Sequence, residues 1–432
     1  MKVLMFGWEF PPHISGGLGT ASYGLTKGLA NFEDVEVTFV VPKAYGDEDT
    51  TKVQNIIGAG DVAIAHRDVT FEDVQKKIDF YEVQSNLIPY VGEEEFYNIT
   101  QKKIQAQSKL VETNEDGCLS FSGKYGADLI QEIYRYSLVA RVIAQDNDFD
   151  IIHAHDWLAY PAGIEAKKVS GKPLVIHVHA TDFDRSGGSV NPKVYAIERE
   201  GMEMADRIIT VSNLTRNIVI EKYGIDPNKV ETVYNAVEPI KKKELSIRKG
   251  VDEKIVTFLG RITMQKGPEY FIEAAHKVLE KTDNVRFVMA GNGDLMNKMI
   301  TRTAALGISD KFHFTGFLKG DEVFDMLRIS DVYVMPSVSE PFGISPLEAM
   351  QADVPVIISK QSGVAEVLKH AIKVDFWDVN ALADSIHGIL EYPSLSRMFK
   401  KHGRVEVDSL EWKNSAEHVR KVYQYTLDLV NA

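Results

Sequence analysis

The chain has 432 residues, 44% of them hydrophobic, a net charge of −13 and one cysteine. That length predicts two domains rather than one, and the acidic balance excludes non-specific binding to nucleic acid or to an anionic membrane. No apolar run is long enough to span a bilayer, and the lone Cys118 cannot form an internal disulfide, which points to a reducing cytoplasm.

A phosphate-bearing ligand on such a chain must be held locally, where an isolated Arg or Lys meets a glycine loop. The N-terminus, MKVLMFGWEFPP, reads as a first strand and loop rather than a signal peptide, because Glu9 and two prolines break its apolar run. Gly16-Gly17-Leu18-Gly19-Thr20 follows and leads into a predicted helix running to residue 30. Glycines there let the backbone approach a phosphate or sugar at the helix start, although the same pattern also serves a plain tight turn. It is not a dinucleotide fingerprint, since the third glycine position counted from Gly17 is Ser22, and no Walker-type lysine occurs.

Short β-branched runs at 37–41, 174–178 and 208–211 have the continuous apolar look of parallel strands buried on both faces. Helical patterns at 124–145 and 197–205 fall between them. An insert at about 43–122 is polar and irregular, and either contacts an acceptor or lies over the sheet. HAHDW (153–157) closes one strand, and His177 and His179 close the next. Strand alternation puts His153 and His155 on one face and His177 and His179 on another. No metal is expected there, because the histidines stand in the strand-end context of a sugar cleft. Asp148-Phe-Asp150 and Asp182-Phe-Asp184 match a metal-binding pattern by letters only and are discounted.

A second series repeats the design, with strands at 255–259, 285–289, 332–335 and 354–358 and helices at 268–279 and 320–328. The fold class is α/β: two Rossmann-like, doubly wound domains facing a central cleft. The predicted domains are 1–237 and 238–408, with a charged boundary stretch at 236–253. A terminal helix at 409–432 carries Trp412, Ala416, Val419, Tyr423, Leu427 and Val430 at helical spacing and packs back on the first domain.

The second domain opens with a strand leading to Arg261 and Lys266, then Gly267-Pro268. A guanidinium fork and an ammonium there can neutralise a diphosphate. A solvated loop pair is the bland alternative, but the place after a buried strand favours ligand binding. The richest segment is SVSEPFGISPLEA (337–349), where Glu340, Phe342-Gly343-Ile344 and Glu348 combine a strand end, a glycine and a helix start. Two acids eight residues apart beside free N–H groups suit a ligand with both phosphate and hydroxyls, such as a nucleotide sugar. Ser345-Pro346-Leu347-Glu348 also reads as a capping box, which would make Glu348 structural.

With these residues placed, the chain resembles the retaining glycosyltransferases of families 4 and 5, of GT-B fold, which include glycogen and starch synthases. The resemblance covers nearly the whole length. EPFGISPLE (340–348), FLGRITMQKG (258–267), HAHDW, VHATD (178–182), TVSN (210–213), YNAVE (234–238) and GGLGT (16–20) carry it in order and spacing. It implies that Arg261 and Lys266 bind the donor diphosphate, with Gly16 and Gly17 near the phosphates. By the same resemblance Glu348 accepts hydrogen bonds from the ribose, and Glu340 faces the transferred sugar beside the amides of Phe342, Gly343 and Ile344. His179 contacts the sugar near the reacting centre, Asp156 and Asn235 stand nearby, and Phe317-Leu318 borders the nucleobase.

The implied activity is metal- and cofactor-independent transfer of glucose from UDP- or ADP-glucose to the end of an α-1,4-glucan, in the cytoplasm, with a homo-oligomer possible. Three positions depart from the bacterial synthases and bear on donor and acceptor. Ile14 stands where many carry lysine, Ala180 where asparagine is usual, and Glu348 where tyrosine is common. Two other readings stand beside this one: a family 4 enzyme acting on another glycan or glycolipid of the cell envelope, and a GT-B protein that binds a nucleotide sugar without turnover. A membrane-docking helix would favour the former; only Lys102-Lys103 and the lysines at 241–243 hint at one.

Overall fold

A computed structural model describes residues 1–14, 16–50, 53, 55–64, 114, 116–126, 128–239 and 249–431. The chain divides into two compact units, Met1–Asn235 with Trp412–Ala432, and Ala236–Glu411. Most of the insert at about 43–122 and both lysine clusters (102–103 and 241–243) lie outside the described residues.

Unit one is built on a seven-stranded, all-parallel sheet. Its strands are β1 (Lys2–Phe6), β2 (Glu36–Val41), β3 (Asn55–Gly58), β4 (Ile151–His155), β5 (Leu174–Val178), β6 (Arg207–Thr210) and β7 (Val230–Thr232). The spatial order β3-β2-β1-β4-β5-β6-β7 is the doubly wound arrangement, which reverses at β1. Every residue of β4 and β5 is buried, as expected of strands covered by helices on both faces. The described part of the insert contributes β3, an edge strand beside β2.

Several sequence expectations shift by a few residues: the helix expected at 197–205 is Pro192–Met204, and the terminal helix expected from 409 begins at Trp412. The helix predicted from 124 begins at Leu129, beyond Gly126, a poor helix former. The strand predicted at 354–358 is Val356–Ser359, because Pro355 has no N–H for a sheet ladder.

The terminal helix Trp412–Asn431 packs against the helix Gly17–Leu29 of unit one. Trp412, Ala416, Val419 and Tyr423 are buried, whereas Val430, placed on the same apolar stripe by spacing, is 53% exposed. The packing is close because Gly24 has no side chain; a Cβ there would stand 2.2 Å from Cε2 of Trp412. At the surface Arg420 grips Asp34 with a two-nitrogen fork at 2.6–3.1 Å.

Unit two repeats the architecture with six parallel strands. They are β8 (Lys254–Leu259), β9 (Val285–Ala290), β10 (Phe312–Gly316), β11 (Val332–Met335), β12 (Val356–Ser359) and β13 (Ile372–Val374). Their order is β10-β9-β8-β11-β12-β13. Each unit has its own core, around Leu4, Phe6, Ile152 and Trp157 in one and Phe258, Phe271, Phe287 and Val334 in the other. Parallel strands in each sheet end along a single rim, and the loops leaving those ends carry the site residues.

Candidate active site

In unit two the loop after β8 carries Arg261 and turns through Met264–Lys266 into the helix Pro268–Leu279. Gly267 at the turn has φ +65°, and a Cβ there would meet the Pro336 carbonyl oxygen at 2.1 Å. Only glycine satisfies both constraints, so this residue ties the loop after β8 to the end of β11. Across that contact the Lys266 ammonium pairs with the Glu340 carboxylate, which also accepts a 3.3 Å hydrogen bond from the Ser337 hydroxyl. Glu340 is 6% exposed, and its backbone is pinned on both sides: its N–H donates to Gln361 O at 3.0 Å, and its C=O accepts from Gly363 N at 2.9 Å. A carboxylate so deeply set and so fully anchored is positioned by the fold rather than by solvent.

The Phe342-Gly343-Ile344 turn follows, with Phe342 buried, its C=O bonded to Val364 N at 2.8 Å, and then the seven-residue helix Ser345–Gln351. The capping box is not formed. Ile344, not Ser345, is the N-cap, and Ser345 Oγ is engaged with the Tyr333 hydroxyl at 3.0 Å. The one-residue displacement moves Glu348 off the capping position. Its half-buried carboxyl has no hydrogen-bond partner among the described residues, and burial pushes it up to about 7. Phe317, 56% exposed, and Leu318 leave the C-terminal end of β10 on the same rim, with Leu318 packed on the small cluster of Ile255, Val288 and Ala290.

In unit one the rim holds Asp156 and His179. Gly16 and Gly17 are exposed at the start of the helix Gly17–Leu29, and Asn235 is buried just past β7. Asp156 has φ +61°, a conformation L-residues rarely adopt, at the junction of β4 and its following helix. It is buried, its Oδ1 has no partner among the described residues, and burial pushes its carboxyl up to about 6 against the opposing Arg185. The histidines correct the sequence reading. β4 and β5 pair with His155 opposite His177, so His153, His155, His177 and His179 lie on one face as a stack, not on two. The Tyr423 hydroxyl of the terminal helix bonds His153 Nδ1, and His155 Nδ1 lies 2.9 Å from His179 Nε2. All four rings are held neutral: burial pushes His153, His155 and His177 well below the usual range and His179 down to about 3.

Sequence reasoning missed the group beneath this rim. Arg185 pairs with Glu198 and lies 3.8 Å from Asp156 and 3.7 Å from Asp182, with the Tyr223 hydroxyl also donating to Glu198. Burial pushes Glu198 up to about 8. The discounted Asp182 and Asp184 serve this frame. Asp184 closes a capping box with Thr181, and Asp182 accepts from Asn191 N at 2.5 Å. Asp148 and Asp150 fasten Lys2, through Nζ at 2.8 Å and its backbone N–H at 2.7 Å. The only available signal for Arg185 was a lone basic residue three positions after Asp182, which by itself points nowhere.

Two doubly wound sheets with candidate residues on their strand-end rims are the architecture of the GT-B glycosyltransferases. Comparison with known proteins agrees. The family described as glycosyl transferases group 1 matches residues 239–406, and glycosyltransferase family 4 matches residues 124–240. An uncharacterized glycosyltransferase of Methanocaldococcus jannaschii is 27% identical, with 100% of both chains covered. The glycogen synthase of Mycobacterium tuberculosis is 23% identical over 98% of this chain and 94% of its own. Among solved structures, the sucrose-phosphate synthase of Thermosynechococcus elongatus superposes with a TM-score of 0.69 at 17% identity, covering 99% of each chain. The two glycosyltransferase family matches together span residues 124–406, and the chain is a glycosyltransferase of GT-B fold.

Proposed function

We propose that the protein is a retaining glucosyltransferase that moves glucose from UDP- or ADP-glucose to the non-reducing end of an α-1,4-glucan, as glycogen synthase does. The observation that carries this reading is the Lys266–Glu340 pair, held across the ends of β8 and β11 with Arg261 in the same loop and an uncommitted Glu348 beyond it. Arg261 and Lys266 supply two positive charges for a diphosphate. The amides of Phe342, Gly343 and Ile344 offer donors to phosphate and sugar hydroxyls. Glu348 accepts from the ribose hydroxyls, Phe317 and Leu318 border the base, and Glu340 faces the sugar. Gly16, Gly17, Asp156, Asn235 and His179 are assigned to the phosphate and sugar by the same family pattern.

Bond breaking puts negative charge on the departing diphosphate and positive charge on the anomeric carbon. Arg261 and Lys266 offset the first, and the Glu340 carboxylate lies toward the second. The acceptor hydroxyl attacks from the face the diphosphate leaves, and the diphosphate oxygen takes its proton, so no strong protein base is required. The paired nucleophile and acid of a retaining glycosidase are not invoked. Transfer of radiolabel from UDP- or ADP-glucose to glycogen tests the reading. Folded protein that incorporates label from neither donor would reject it, and label passed only to another glycan would move the acceptor to the cell-envelope class.

A further inference from the structure

Unit one contains a cavity of about 770 Å³ that none of the residues assigned to the reaction lines. It lies at the β7 edge of the sheet, and Arg207, Arg216, Glu231 and Tyr425 stand in its walls. Arg207 opens β6, at the end opposite the rim, and Arg216 comes from the helix Asn213–Tyr223. Both guanidinium groups are fastened to one turn. Arg207 Nη1 donates to the carbonyl of Asn228. Arg216 Nη2 donates at 3.0 Å to the preceding carbonyl, that of Pro227, and its Nε donates to Val230 O at 3.2 Å. Bonds to consecutive carbonyls hold the two cations side by side. The Tyr425 ring fixes one of them further, since Cζ of Arg207 lies 4.3 Å from its centroid.

Neither cation has a counter-charge. Arg185, similarly buried, is met by Asp156, Asp182 and Glu198. Arg207 is 8% exposed, and neither it nor Arg216 forms an ion pair among the described residues. Tying down a turn requires only neutral donors, whereas two like charges set together and left unpaired are costly. One nitrogen on each also stays open. Arg207 Nη2 and Arg216 Nη1 bond no described protein atom and, unlike Arg207 Nε, neither is buried, so an anion in the cavity can reach both. Two guanidinium forks match a phosphate monoester, which carries nearly two charges at neutral pH, better than a singly charged carboxylate. The cavity has room for a whole small ligand, for which about 300–1,000 Å³ is usual. Glu231 lies on the Arg207 face, being paired with Ile209, and its carboxylate has no partner among the described residues; nor has the Tyr425 hydroxyl. A carboxylate repels phosphate and accepts from hydroxyls. We propose that this cavity is a second ligand site, which takes the phosphate monoester of a polyol. The phosphate sits on Arg207 and Arg216, and the hydroxyls meet Glu231 and Tyr425. The site is independent of the proposed glucosyl transfer.

The test is calorimetric titration of the full chain with sorbitol 6-phosphate, beside inorganic phosphate and sorbitol. Wild type should bind the ester more tightly than either fragment. Affinity should fall about ten-fold or more in Arg207→Gln and in Arg216→Gln, the scale of a lost charge-assisted hydrogen bond. Arg207→Lys, which keeps the charge without the fork, should lose less, separating loss of the contact from loss of the fold. Lys266→Ala, altered only at the donor loop, should bind the ester as wild type does. Wild type that binds no ester at millimolar concentration overturns the proposal whatever the variants do. So does binding that vanishes in Lys266→Ala and survives in folded Arg216→Gln, because the phosphate would then sit at the donor loop. Inorganic phosphate bound as tightly as the ester would overturn the contacts of Glu231 and Tyr425 with a polyol.

Discussion

Lys266 and Glu340 form an ion pair that is 22% and 8% exposed at the side chains, in a place where the fold leaves neither much water. Breaking one half of such a pair costs more than the pair is worth, because the survivor is left charged and unpaired. Lys266→Ala therefore removes the partner of Glu340 and, under the proposed function, a cation for the donor diphosphate. Loss of a transition-state charge contact of this kind lowers kcat by about 100- to 1,000-fold, while the backbone bonds on either side of Glu340 keep the loop folded. Glu348 gives a second expectation at this scale. Burial raises its carboxyl to about 7, so it is protonated over the acidic range and ionised only above about pH 7. An acceptor for ribose hydroxyls works best ionised, so kcat/KM for the donor should fall as pH drops below about 7, and Glu348→Gln should flatten that limb. A limb that survives in Glu348→Gln belongs to another group. The stability sign is opposite. A raised carboxyl stabilises the folded state below its unfolded value and loses that contribution as pH rises toward about 7, so Glu348→Gln should not destabilise the apo protein at alkaline pH.

At the scale of elements, the contact of the terminal helix with the first helix depends on one pair. Trp412 is buried, and its ring occupies the space a side chain at Gly24 would need. Trp412→Ala should cost about 3–5 kcal/mol, and Gly24→Leu should detach the helix; denaturant titration followed by tryptophan fluorescence reads both. Unchanged midpoints would mean the contact is not structural. Strands β4 and β5 and the residue after β5 carry a second liability, the neutral histidines His153, His155, His177 and His179. Their depressed values mean the unfolded chain binds more protons below its ordinary histidine range, so their contribution is complete above about pH 6.5 and lost as pH falls. Asp156 and Glu198, both raised, oppose this with two protons between about pH 5 and 6. Four histidines against two carboxyls leave unit one losing stability as pH falls. Thermal melts across that window should show a falling midpoint, and His177→Phe should make the fall shallower.

The sequence disclosed these elements unevenly. Apolar runs such as Leu174–Val178 and Val332–Met335 appear in the structure with the bounds the sequence implied, because Pro173 and His179 bracket the first and Asp331 and Pro336 the second. The histidine stack was not legible. Alternation fixes faces within one strand, but the pairing of His155 with His177 is set by register between strands. The capping box misled by one position, because Ser345 has a tertiary partner in Tyr333 that local spacing cannot show. Arg185 and Glu198, thirteen residues apart, meet only through the packing of two helices.

At the scale of the whole molecule, a chain of net charge −13 must bind an anionic donor against its own field, which makes the local cations decisive. Two units with separate cores also allow the donor's effect to be localised. Hydrogen exchange with saturating UDP or ADP should slow chiefly at residues 258–267 and 336–348, and at a hundred times Kd the nucleotide should add about 2.7 kcal/mol to the stability of unit two. Protection confined to unit one would misplace the donor. The most direct test remains glucosyl transfer measured side by side for wild type and Lys266→Ala, with radiolabelled UDP- and ADP-glucose and glycogen as acceptor. Incorporation by wild type that falls about 100-fold or more in Lys266→Ala is expected. Transfer undiminished by that substitution, or none from either donor by folded wild-type protein, would contradict a diphosphate grip built on Arg261, Lys266 and Glu340.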